Sequence, residues 1–135
     1  MVFLLIARLL VRSVKLERWR GWLGELAPAG TRGPEHDAHS VTPTGREALR
    51  VGRAVARGAQ VLPSTFKCLP QAAAAQWMLR RRGSDATLVI AVHAVRRAGD
   101  DAFHAWVERA GQMIVGHCER SEYRPVLTLR QPARD

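Results

Sequence analysis

Apolar residues recur at helical spacing from the start of the chain. Val2, Phe3, Ile6, Leu9, Leu10 and Val14 fall on one side, and Arg8, Arg12 and Lys15 fall on another. The pattern predicts an opening helix from Val2 to about Leu26, with weak points at Gly21 and Gly24. From Ala27 to Pro43 large apolar residues almost vanish and Pro, Gly, Thr, Ser and His replace them, the composition of a flexible loop. Thr44 then offers N-cap chemistry with Glu47 three residues on, the spacing of a capping box. The helix it opens turns Leu49, Val51, Ala54, Val55 and Ala59 inward and Arg46, Arg50, Arg53 and Arg57 outward. Leu62-Pro63 closes it. A further helix starts near Cys68, where Pro70 suits the first turn, and runs through Gln71, Ala72 to Ala75, Trp77 and Leu79. Arg80, Arg81 and Arg82 complement its negative end, and Gly83 supplies a left-handed cap.

Beyond Gly83 the period changes. Ala86 to Val95 is rich in Val, Ile and Leu and reads as a buried strand. Arg96 to Asp101 forms a polar turn, then come strands over Phe103 to Arg109 and Gln112 to Cys118. A short last strand, Val126 to Leu129, follows Pro125. Helices first and an antiparallel sheet afterwards give an α+β fold. With 135 residues, one domain is expected. It divides into an N-terminal helix over 1–26, a loop over 27–43 and a core over 44–135.

Charge changes this picture less than its size suggests. The chain carries +9, and Lys15 and Lys67 are its only lysines, so 19 of its 21 basic residues are arginines. Such a balance invites a nucleic-acid partner. The arginines, however, are scattered over helix faces, helix ends and loops, without the interleaved exposed aromatics that stack bases. Solvated faces explain them, and no nucleic-acid partner is expected. The longest apolar run, Met1 to Ala7, is far short of the ~20 residues a membrane-spanning helix needs. Neither a transmembrane segment nor a secretory signal is read here. Two cysteines are too few for a disulfide framework and fit a reducing, cytoplasmic compartment.

One of those cysteines carries the chemistry. Cys68 stands at a predicted helix start, where free N–H groups and the helix dipole favour a thiolate. The same N–H groups can hold an oxyanion formed on a carbonyl that the sulfur attacks. The complementary base is His104. If Ala110-Gly111 is a two-residue turn, Arg109 pairs with Gln112, Glu108 with Met113, Trp106 with Val115 and His104 with His117. Partners of this kind have Cβ atoms about 5 Å apart on one face. A slip of one residue would set Gly116 or Cys118 opposite instead. Cys118 projects away from His117 and reads as a small buried hydrophobe. Trp77 and Trp106 read as core or cleft-wall aromatics, and His93 as structural.

A thiolate, a histidine and a residue that orients it make the usual set for acyl transfer. Their order, on a helix and then on successive strands, is that of papain-like and transglutaminase-like enzymes. Cys68-Leu69-Pro70-Gln71-Ala72, Trp77-Met78-Leu79-Arg80-Arg81-Arg82-Gly83, His104-Ala105-Trp106-Val107-Glu108, Gly111 and Tyr123-Arg124-Pro125-Val126-Leu127 carry a closer likeness. Through them the chain resembles the lasso-peptide biosynthesis B2 proteins, which are transglutaminase-like cysteine proteases that remove the leader from a lasso-peptide precursor. The likeness is strongest between residues 60 and 129.

The resemblance implies a transglutaminase-like (papain-like) core with Cys68 as nucleophile and His104 as general base. It implies an aspartate on the following strand, but that stretch reads Val115-Gly116-His117-Cys118-Glu119. His117 is taken as the third catalytic residue, with Glu119 as fallback. Gln71 and Trp106 are taken as substrate or oxyanion contacts. The resemblance further implies a precursor peptide as substrate, a separate leader-recognition B1 protein that delivers it, and a lasso cyclase downstream.

Two other classes compete with this reading. Cys68, His104 and His117 could form a three-ligand zinc centre of a hydrolase, and a basic, non-catalytic binding module would use the arginines. On the peptidase reading neither metal nor any other cofactor is expected. No ATP site is read, because the chain has no G-x-x-x-x-G-K-[ST] loop. His36 and His39, an H-x-x-H pair in the loop, are read as solvated.

Overall fold

The protein is described by a computed structural model over residues 9, 15, 24–27, 43–61, 68–95 and 102–131. Two helices pack on one side of a five-stranded sheet, an α+β arrangement. The helices are α1 (Pro43–Val61) and α2 (Cys68–Arg81). The strands are β1 (Glu25–Ala27), β2 (Ala86–His93), β3 (Phe103–Arg109), β4 (Gln112–Val115) and β5 (Tyr123–Gln131). Their spatial order is β1-β5-β2-β3-β4, and every neighbouring pair is antiparallel.

Helix α2 is the centre of the fold and forms where its sequence predicts. Ala72 to Ala75 are all buried, and such small side chains let the helix approach both the sheet and α1 closely. Its end is a Schellman motif. Ser84 N–H reaches Leu79 O at 3.1 Å and Gly83 N–H reaches Arg80 O at 3.0 Å, with Gly83 left-handed at φ 68°. Helix α1 buries Ala48, Val51 and Val55 and exposes its four arginines as expected. Ala54, expected inward, is exposed. The helix begins at Pro43, a residue before the expected cap at Thr44, whose side chain lies outside the described residues.

Gly52 places α1. A Cβ there would collide with the carbonyl oxygen of Ile114, so only glycine lets the helix backbone rest on β4. Ile114 is also the extra residue of a bulge. Glu108 pairs with Met113 but Val107 pairs with Val115, which skips one position on β4.

Three expectations about the strands are corrected. The opening helix does not run on to Leu26: Leu9 is helical, Lys15 is not, and Glu25–Ala27 is strand β1. That segment pairs with Arg130, Leu129 and Thr128, because the open edge of β5 offers backbone partners that outweigh local helical periodicity. The rest of the 1–26 prediction lies outside the described residues, as do His36, His39 and the 96–101 turn. The last strand runs Tyr123–Gln131, longer than the four residues expected. Pro125 is tolerated inside it because the β2–β5 register shifts there, with Ile90 opposite Leu127 and Ala91 opposite Pro125. Strand β4 stops at Val115, three residues before Cys118.

Both faces of the sheet carry apolar clusters. Leu79, Leu88, Val107 and Leu129 join the alanines of α2 on the helical side. Val89, Ala91, Trp106 and Met113 form a smaller cluster on the other, with Cys118 and Tyr123 against it.

Candidate active site

A cleft of about 560 Å³ opens where α1, the start of α2 and the end of β4 meet. Cys68, Gln71, His104, Gly116 and His117 line it, and α1 adds Leu49, Gly52, Arg53 and Ala56. The two central expectations therefore meet in space. Cys68 is the first residue of α2, half-buried, and packs against the helical-side core. Its position gives the thiol the unpaired N–H groups of a helix start. Gln71 lies one turn on and shares the cleft.

His104 reaches the cleft from the other side of the sheet. Strand alternation groups it with Trp106, and its ring lies against Trp106 and Tyr123. Because β4 ends at Val115, no described strand covers the sheet edge beside His104, and the imidazole lines the cleft there. Its Nε2 lies 2.8 Å from Gly116 O. A carbonyl oxygen only accepts, so Nε2 carries the proton and Nδ1 keeps the lone pair of a general base.

His117 does not pair with His104. The hairpin turn forms as expected at Ala110 and Gly111, with φ 48° and 76°, and the pairs Arg109–Gln112 and Glu108–Met113 follow. The bulge at Ile114 then shifts the register, so Val115 faces Val107 instead of Trp106. Gly116 is drawn against Ala105 and Trp106, where a Cβ would strike the Ala105 carbonyl and lie 2.9 Å from Trp106 Cα. Its φ of 79° also calls for glycine. His117 is left exposed at the mouth of the cleft, and the place expected for it beside the imidazole is held by the Gly116 carbonyl. The alternating pattern gives no sign of a bulge. The bulge shifts the register away from a slip that would set Gly116 opposite His104, and Gly116 comes level with Trp106 instead.

The carboxylates near the site are engaged elsewhere. Glu119, the fallback, is exposed, accepts Ser121 Oγ at 3.2 Å and does not line the cleft. Glu108 Oε2 accepts Trp106 Nε1 at 3.0 Å and Arg120 at 3.1 Å. No acidic residue is among the described residues that line the cleft. Arg53, which the sequence reading placed on a solvated ridge, supplies its formal positive charge. Trp106 is 3% exposed, is not among the described residues that line the cleft, and lies against the ring of His104. Cys118 is half-buried, and burial raises its thiol pKa despite the opposing charge of Arg120. The alternative zinc set fails on geometry: among the described residues no three His, Cys, Asp or Glu side chains come together as a ligand group.

Comparison with known proteins agrees with the helix–sheet order. The sequence profile described as the transglutaminase-like superfamily matches residues 8–128. The chain belongs to the transglutaminase-like superfamily. No curated protein and no solved structure matches it. Transglutaminase-like proteins include cysteine proteases and transglutaminases, and a helix-start cysteine beside a strand histidine is consistent with that chemistry. Among the described residues of this transglutaminase-like chain, no helix is long and apolar enough to cross a membrane.

Proposed function

We propose that this transglutaminase-like protein is a cysteine endopeptidase that removes the leader from a lasso-peptide precursor. One observation carries the catalytic part: Cys68 at a helix start shares a cleft with an imidazole whose Nε2–H is tied to Gly116 O, leaving Nδ1 as the base. The choice of substrate rests on the sequence resemblance to the B2 proteins.

The chemistry runs in two halves. Nδ1 of His104 takes the Cys68 proton while the sulfur bonds to the carbonyl carbon of the leader–core peptide bond. The carbonyl electron pair moves to oxygen, where the N–H groups at the start of α2, with the Gln71 amide close by, offer donors. Collapse expels the core peptide as an amine, which takes the proton from His104, and leaves a thioester on Cys68. Water then adds with His104 as base, and the leader departs as a carboxylic acid while the thiol re-forms.

A separate leader-recognition protein delivers the precursor, and a lasso cyclase acts on the freed core, in a cytoplasmic setting. The test is cleavage of a lasso precursor by wild type, Cys68→Ala and His104→Ala in the presence of the recognition protein. Both variants should lose cleavage. Undiminished cleavage by Cys68→Ala would overturn the proposal.

A further inference from the structure

Forming a thiolate at Cys68 makes an imidazolium at His104, yet among the described residues no acidic side chain lines the cleft to balance it. We propose that Tyr123 and Trp106 are positioning residues that stabilise protonated His104 through their ring faces, and that Glu108 acts on it through the Trp106 indole. This rests on the peptidase reading of the cleft.

The two rings form a one-sided bracket, because the three ring centroids make a near-equilateral triangle. The His104 ring centroid lies 5.3 Å from that of Tyr123 at an interplanar angle of 32°, and 6.3 Å from that of Trp106 at 34°. Those two rings are themselves 6.4 Å apart at 64°, so both lie toward one side of the imidazole. Aromatic faces are the negative pole of a quadrupole, and they attract a cation at roughly 6 Å, more strongly when water is excluded. Trp106 is 3% exposed, so its face acts in a desolvated setting.

Glu108 gives that bracket its charge. Its Oε2 accepts the indole N–H of Trp106 at 3.0 Å, which fixes the ring and places the anion at the indole's positive edge. Arg120 holds the same oxygen from Nη2 at 3.1 Å and anchors itself on Gly111 O at 2.7 Å. A connected chain thus runs from the hairpin turn through Arg120, Glu108 and Trp106 to the imidazole. Among the described residues, the other titratable or charged groups in the cleft are Cys68, Arg53 and His117, and Glu119 and Glu122 lie farther off around Cys118. Behind the rings, His93 meets Tyr123 edge-on and Cys118 packs on the Trp106 cluster. None of the described cleft residues supplies a resting negative charge, so the bracket is the described feature in contact with the imidazole that is suited to the imidazolium.

Iodoacetamide alkylation tests this without any substrate, with Cys68 and Cys118 followed separately by peptide mass mapping. The alkylation rate of wild-type Cys68 at pH 6 is the reference. In Tyr123→Leu and Glu108→Gln the pH 6 rate should fall about tenfold, with the rate at pH 9.5 within about twofold of wild type, because any exposed thiol is ionised there. Tyr123→Phe keeps the ring face and should restore the wild-type profile. A Tyr123→Leu profile like that of wild type, in protein with a native circular dichroism spectrum, overturns the bracket. A Glu108→Gln protein that melts earlier yet keeps the wild-type profile overturns the role of Glu108. The underlying reading fails separately: if His104→Ala leaves the profile unchanged, no thiolate–imidazolium pair exists to be stabilised.

Discussion

The carbonyl oxygen of Gly116 lies 2.8 Å from His104 Nε2, so a backbone group stands where a third side chain was expected. A carbonyl fixes the tautomer and the angle of the ring as well as a carboxylate does, but it brings only a dipole to a charge that forms during reaction. Orientation and charge stabilisation are thereby separated in this site. The first belongs to Gly116 and, on the inference above, the second belongs to the Trp106 and Tyr123 rings, on the same sheet face as the imidazole.

That division predicts unequal roles for two histidines in the same cleft. His104→Ala should lower kcat/KM for precursor cleavage by about a thousandfold or more, as expected when a base that works as a unit with its nucleophile is removed. His117→Ala should stay within about threefold of wild type, the range of a lost surface contact worth well under 1 kcal/mol. Steady-state cleavage measures both, and a loss above about tenfold for His117→Ala would return a catalytic role to that residue.

Much of this site was readable before the structure. Helix α2, its start at Cys68 and its end at Gly83 follow from local chemistry alone: a first-turn proline, a run of alanines, terminal arginines and a glycine cap. The strand carrying His104 and the turn at Ala110-Gly111 follow from alternation and turn type. What alternation does not encode is a bulge, because Ile114 and its neighbours are apolar on both sides of the slip. Alternation alone therefore places the register beyond Met113 one residue off, and His117 does not pair with His104. Strand β1 was missed for a different reason. Glu25 to Ala27 join the sheet because β5, far along the chain, offers an open edge, and no local pattern reports a distant partner.

Three glycines should respond differently to alanine. Gly116→Ala combines a left-handed φ with a collision against the Ala105 carbonyl and should cost about 3 kcal/mol. Gly111→Ala meets nothing within 4 Å and should cost only the conformational strain, about 1 kcal/mol. Gly52→Ala is decisive in sign. Inside a helix that change ordinarily gains about 1 kcal/mol, but here the methyl meets Ile114 O and should destabilise by about 1–3 kcal/mol. Urea midpoints rank the three, and a stabilised Gly52→Ala protein would show that α1 does not rest on β4 as described.

Cys118 sets a weak pH dependence on the alkaline side. Burial raises its thiol pKa, with Glu119 and Glu122 adding to the shift and Arg120 opposing it. The folded protein therefore holds this proton more tightly than the unfolded chain does. Its contribution is intact below the unfolded thiol pKa, about 8.5, and is lost as pH rises through the folded value. Stability should fall more steeply above that pH in wild type than in Cys118→Ser. The thiol should also react with iodoacetamide at pH 8 more slowly than a solvent-exposed cysteine. Parallel stability-versus-pH curves for the two proteins would contradict this account.

Gln76 ties the catalytic helix to the sheet from within the core. It is fully buried on α2, and its Nε2 donates to Leu129 O at 3.2 Å and, more weakly, to Ala86 O at 3.4 Å, so one side chain spans β5 and β2. Gln76→Leu keeps most of the volume but removes a donor from buried carbonyls, which should cost about 1–3 kcal/mol. Gln76→Ala adds a cavity and should cost about 3–5 kcal/mol. Because Cys68 begins the same helix two turns earlier, a helix freed to shift should also lower cleavage by Gln76→Leu more than its lost stability explains. Denaturation at fixed temperature and cleavage well below the melting point separate the two effects. A Gln76→Leu protein as stable and active as wild type would mean that the carbonyls find other donors, and that the alanine face of α2 alone sets the position of Cys68.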